Sequence, residues 1–196
     1  MSWFRTKFGV AMAVTLSLIV GVAGGGGTAW YLTHGYERLP SLFNHYGPWN
    51  TEKPDALVHS QLLLAHAAVF GTFGLPLTEV IYLKAVRDSD GNLLRSDQAY
   101  QVCGRPLDAL YWSVSAYRSD GQFFETPLHR SSFNGETTQL RTGGDFCLAV
   151  QAAPAAENWL PTTGHADEEL VLRLYRPSAA LRANIASLVP TIRRAP

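Results

Sequence analysis

The chain has 196 residues with 16 Lys plus Arg against 16 Asp plus Glu, so no global field draws in nucleic acid or an anionic polymer. An apolar fraction of 46%, with 17 Gly and 11 Pro, excludes a disordered polyelectrolyte and describes a folded, turn-rich chain. Once an N-terminal apolar segment is set aside, about 160 residues remain, enough for one domain with a proper core.

From Phe8 to Leu32 no side chain is charged, and a helix of that length spans about 37 Å, more than the roughly 30 Å of a bilayer core. Arg5 and Lys7 precede the segment and only Arg38 follows closely, which places the N-terminus in the cytoplasm and the rest outside it. Trp30 and Tyr31 suit the far interface. The expectation is residues 1–32 as a retained anchor in a bacterial inner membrane, with the domain facing the periplasm or the cell exterior. The competing reading is a signal peptide cleaved after Gly21-Val22-Ala23, before the Gly24–Gly27 run.

Residues 33–53 carry His34, Gly35, Pro40, Gly47, Pro48 and Trp49 without periodicity and read as a linker. The exported domain is then expected over 54–196, opening with a helix from Pro54 to Phe70 on which Leu57, Gln61, Leu64 and Ala68 recur at helical spacing. Beyond Pro76 the period shortens to that of a strand over 80–85, ended by Asp88-Ser89-Asp90-Gly91-Asn92. Further strands are predicted at Gln98–Cys103, Tyr111–Arg118, Gln122–Glu125, Leu128–Phe133, Phe146–Gln151 and Leu170–Arg176, divided by Gly-, Asp- and Asn-rich turns. A short helix over Ser178–Ala186 follows. Closely spaced strands without intervening helices predict a mainly β, antiparallel sandwich or jelly-roll-like domain with one or two flanking helices.

No segment spells out chemistry. The Asp88–Asn92 run alternates oxygen donors, but its Gly stands one place early for a calcium loop and no bidentate Glu follows, so it reads as a hairpin turn. His59 and His66 lie two helical turns apart, about 10 Å, too far for one zinc ion, while His45, His129 and His165 belong to no ligand motif. Leu160-Pro161-Thr162-Thr163-Gly164 matches a sortase pentapeptide but lacks the apolar segment and basic tail that sorting requires. No nucleophile elbow, paired carboxylates or phosphate cradle is present, so no catalytic residue, metal or cofactor is assigned. Cys103 and Cys147 both sit in predicted strands. In an exported domain they are either bonded to each other or two separate buried thiols.

Tyr111-Trp112-Ser113-Val114 with Tyr117, Thr126-Pro127-Leu128-His129-Arg130-Ser131-Ser132, Asn158-Trp159-Leu160-Pro161 and Leu172-Arg173-Leu174-Tyr175-Arg176-Pro177 resemble, in order and spacing, the family called domain of unknown function 1214. The resemblance runs from about 75 to 194 and implies a β-sandwich with no established activity. In larger members that domain follows domain of unknown function 1254, whose place a membrane anchor takes here. The chain differs from the family pattern at His129 and Ser131, where Asn and Tyr are common, and at Asp145-Phe146-Cys147, which replaces Asp-Gly-Ser.

Trp112, Tyr117, Trp159 and Tyr175 are large amphipathic side chains suited to closing a sandwich, with Trp159, between Asn158 and Pro161, expected to turn inward as a plug. Arg173 lies on a predicted strand, where a guanidinium is solvated or paired. Two functions compete. One is an interaction or accessory module of the cell envelope that binds another envelope protein. The other is a small-molecule-binding or hydrolytic domain whose cleft, at one end of the sandwich, is lined by Arg130, His129 and Asp145.

Overall fold

The computed structural model describes residues 2–34, 43–53, 75–126, 128–164 and 167–195, so the helix expected over Pro54–Phe70 lies outside the described residues. The described residues fall into two units: the N-terminal helix belongs to one, and the β-domain from Phe43 onward is the other.

Helix α1 runs from Ser2 to His34, continuous through Gly24–Gly27. Its stretch Phe8–Tyr31 is long and apolar enough to cross a membrane and is exposed all the way round. A stretch of this length and composition suits a membrane anchor or a signal sequence alike.

The β-domain is mainly antiparallel and has two sheets. Strands β1 (Phe43–Tyr46), β2 (Trp49–Glu52), β3 (Val80–Ala85), β5 (Ala109–Arg118), β6 (Ser132–Asn134) and β9 (Glu168–Pro177) form a six-stranded sheet in the order β1-β2-β3-β9-β5-β6. Strands β4 (Tyr100–Gly104), β7 (Phe146–Gln151), β8 (Trp159–Pro161) and β10 (Thr191–Arg194) form a four-stranded sheet in the order β10-β4-β7-β8. One pair, β7 with β8, is parallel. After β9, Ser178 caps the short helix α2 (Ala179–Ala183) by accepting from the Leu181 amide at 3.0 Å, and α3 (Ile185–Leu188) follows.

Period-two burial explains the layering. On β9, Leu170, Leu172 and Leu174 point inward with Ile81, Leu83 and Ala85 of β3 and Trp112, Val114 and Ala116 of β5. From the other sheet come Tyr100, Val102, Phe146, Leu148, Val150, Leu160 and Ile192, and all of these belong to one core. Trp112 stacks on Phe146 across the two sheets with ring centroids 5.0 Å apart. Gly135 makes room for that indole, because a Cβ there would stand 2.9 Å from Trp112 Nε1.

Several boundaries differ from the sequence reading. Residues 43–52 are not linker. They form a hairpin on the six-stranded sheet, turned at Gly47 with φ +62°, and Trp49 is fully buried with its Nε1 donating to the Pro190 carbonyl at 2.6 Å. A buried tryptophan in an aperiodic stretch gives no pattern to read, so only tertiary packing reveals it. The strands expected at Gln122–Glu125 and Leu128–Phe133 shrink to one bridge at Phe123 and the three residues of β6. The Asp88–Asn92 segment is a turn, with Gly91 at φ +88° and the Asp88 carboxylate accepting from the amides of Asp90 and Asn92 at 3.0 and 2.8 Å.

Candidate functional site

The same alternation that sends Leu170, Leu172 and Leu174 inward sends Glu169, Val171, Arg173 and Tyr175 to the outer face of the six-stranded sheet. Register completes the rows. Tyr175 lies between Val80 and Tyr111, Arg173 between Tyr82 and Ser113, and Val171 between Lys84 and Ser115, while Glu169 faces Tyr117. On this face Tyr82, Tyr111, Tyr117 and Tyr175 stand with a partly buried guanidinium among them, while Val80, Ser113, Ser115 and Val171 are buried.

Arg173 is partly buried and firmly held. Its Nη1 donates to Ser115 Oγ at 3.0 Å and its Nη2 to the Tyr117 hydroxyl at 2.6 Å. The guanidinium also lies 5.4 Å from the Tyr117 ring centroid and 6.0 Å from that of Tyr82. Around it, Tyr175 packs edge-on against Tyr82 and Tyr111 at 6.5 and 5.8 Å, and Asn134 Nδ2 donates to the Tyr111 hydroxyl at 3.4 Å. Lys84 and Glu169 form an ion pair at 3.4 Å on the same face.

A second cluster lies where β9 begins. Glu168 is 2% exposed, and neither carboxylate oxygen has a hydrogen-bond partner. Burial pushes its carboxyl up to about 8. The Glu168 amide donates to the Leu94 carbonyl at 3.2 Å, and buried Thr162 reaches the Ser96 carbonyl at 3.3 Å. The Tyr100 hydroxyl, also raised by burial and by the nearby Glu168, accepts from the Arg95 amide at 3.1 Å.

The structure does not unite the three residues expected to line a cleft. Arg130 and His129 are exposed on a loop, not on a strand, with His129 at φ +49°; Arg130 reaches the Trp159 carbonyl at 3.4 Å and lies over the Phe133 ring. Asp145 instead faces Arg141, 3.8 Å away in the preceding turn. Trp159 is not the plug. It is only partly buried, its Nε1 donating to the Gln151 carbonyl at 2.9 Å, whereas its neighbours Asn158 and Leu160 are buried, because the first residue of an edge strand in a parallel pair shows one flank to solvent. Pro161 ends β8 buried. Cys103 and Cys147 are directly opposed on β4 and β7 and joined by a disulfide, their Cα atoms 4.1 Å apart. No group of three or more metal-ligating side chains occurs among the described residues.

Sequence reasoning passed over Tyr82 and Glu168. Counting back by two from Leu170 assigns Glu168 to the inward face, which is the signal that could have found it.

A model of the family described as "Protein of unknown function (DUF1214)" matches residues 79–179. Among solved structures, the VPA0106 protein from Vibrio parahaemolyticus is similar with a TM-score of 0.59 and 22% identity over 74% of this chain and 38% of that one. An uncharacterized protein from Burkholderia cenocepacia aligns with a TM-score of 0.47 and 16% identity over 88% of this chain and 42% of that one. The chain thus spans well under half the length of either protein, and the first likeness carries the fold alone. No curated protein matches the chain.

Proposed function

This chain belongs to the DUF1214 family of proteins of unknown function, and on that footing we propose that it is a membrane-tethered binding module of the bacterial cell envelope. Helix α1 stays in the inner membrane with Arg5 and Lys7 on the cytoplasmic side, and the sandwich stands outside. The disulfide between Cys103 and Cys147 supports an oxidising compartment.

The observation that carries this reading is the outer face of the six-stranded sheet. Sheet faces that only meet water are dominated by charged and small polar side chains. Here Tyr82, Tyr111, Tyr117 and Tyr175 surround Arg173 instead, with Tyr111 40% exposed. Tyrosine and arginine are the residue types that carry binding energy at protein interfaces, because each buries a large, stiff surface while keeping a polar group to pair. The module binds another envelope protein through this face.

The test is a photo-crosslinking residue in place of Tyr111 in the full-length chain, irradiated in its own membranes. A discrete, reproducible adduct with a second polypeptide is expected. Lack of any adduct at Tyr111 and Tyr175 alike would overturn the reading.

A further inference from the structure

Resting on that binding-module reading, we infer that the face receives a carboxylate of the partner polypeptide at Arg173. The guanidinium has five N–H donors, of which one on Nη1 and one on Nη2 are engaged, by Ser115 and Tyr117. No carboxylate among the described residues forms an ion pair with Arg173, and Glu169, the acidic residue of β9 on the same face, is held by Lys84 at 3.4 Å. A partly buried cation therefore keeps uncommitted donors beside exposed aromatic surface.

The site is built before any ligand arrives. Ser115 and Tyr117, on the strand paired with β9, fix two corners of the planar group, and the Tyr82 and Tyr117 rings flank it. A guanidinium held this way loses little freedom on binding, so more of the charge-assisted hydrogen-bond energy appears as affinity. The fork selects the ligand: the Arg173 donors left by Ser115 and Tyr117 match a planar, doubly accepting carboxylate, the anionic group that Asp, Glu and the C-terminus give a polypeptide. The tyrosines then pack against the chain that bears the carboxylate.

A random decapeptide library displayed on phage and selected against the full-length chain in detergent micelles tests this. Selected peptides are expected to be enriched in Asp or Glu. Resynthesised with that residue changed to Asn or Gln, they should bind at least about ten-fold more weakly. On Arg173→Gln the acid and amide forms should bind alike, and Arg173→Lys, which keeps the charge but not the fork, should fall between. Changing the peptide keeps the test valid even if Arg173→Gln proves unstable. Binders without acidic residues, or amide forms that bind as well as the acids, would overturn the carboxylate assignment and leave the binding module standing. A library yielding no binder also overturns it, and crosslinking at Tyr111 then decides the broader reading separately.

Discussion

The side chain of Asn158 closes a reciprocal pair with the backbone of Gln139, accepting from its amide on Oδ1 and donating to its carbonyl from Nδ2, both at 2.8 Å. A further bond from Nδ2 reaches the Cys147 carbonyl at 3.2 Å. One buried amide thus ties β8, β7 and the 139 loop together, from a backbone at φ +45° that Asn tolerates better than most residues.

Asn158→Ala is therefore expected to cost about 2–4 kcal/mol, for the lost bonds, the partners left unpaired and the left-handed backbone. Asn158→Gly loses the same bonds without the backbone strain and should be about 1 kcal/mol milder. Trp159→Ala, at a partly exposed ring, should cost about 1–2 kcal/mol, below the 3–5 kcal/mol of a fully buried tryptophan. Denaturant unfolding of the full-length chain in detergent ranks the three, and an Asn158→Ala midpoint equal to wild type would count against the account.

Trp49 makes the opposite prediction for a residue that looks like linker. Fully buried and bonded to the Pro190 carbonyl at 2.6 Å, it pins the β1–β2 hairpin to the segment entering β10. Trp49→Ala should cost about 3–5 kcal/mol, and Trp49→Phe less. Limited proteolysis provides the check: early cleavage near residues 43–53 in wild type would show that the hairpin is not integral.

Glu168 gives stability a pH dependence of defined sign. Its folded-state value of about 8 lies above the ordinary 4.5, so the folded form holds the proton more tightly than the unfolded one between those limits. Its contribution is fully present below about pH 4.5 and is lost as pH rises through about 8, on the order of 5 kcal/mol in all. Arg118 is its register partner on β5, while Arg95 and Asp167 form an ion pair nearby and Tyr100 faces it, and no contact pairs its carboxylate. For Asp88, burial raises the carboxyl, but bonds from Asn92 and Asp90 and the charge of Arg194 outweigh it, so the value is lowered and stability falls with acid below the usual 3.8. Melting temperature should thus decline between pH 5 and 8.5 in wild type and stay flatter in Glu168→Gln. Parallel profiles for the two proteins would refute the assignment.

The Cys103–Cys147 bond closes a loop with a sequence separation of 44. Its removal by reduction, or by Cys103→Ala with Cys147→Ala, is expected to lower stability by about 2–4 kcal/mol. Because the two strands are held by their own ladder and by shared core residues, the domain should remain folded. Melting curves with and without dithiothreitol check both statements, and complete unfolding on reduction at 25 °C would contradict the second.

Patterning along the chain determined the apolar helix, the β-rich class, the strand at Phe146–Gln151 in full and the turn at Asp88–Asn92, because each depends on neighbours within a few residues. The family resemblance, carried by Tyr111 to Val114 with Tyr117 and by the segments 126–132, 158–161 and 172–177, pointed to the family whose model matches residues 79–179. What the sequence left open depends on partners far apart in the chain. Trp49 meets Pro190 across 141 positions and Arg173 meets Tyr117 across 56, so neither contact leaves a local period to read. Asp145 and Arg130 looked alike as polar residues near strand ends, and only the fold assigns one to Arg141 and the other to the Trp159 carbonyl. Strand alternation fixes which residues share a face, whereas register, set by the packing of two whole sheets, decides which of them touch.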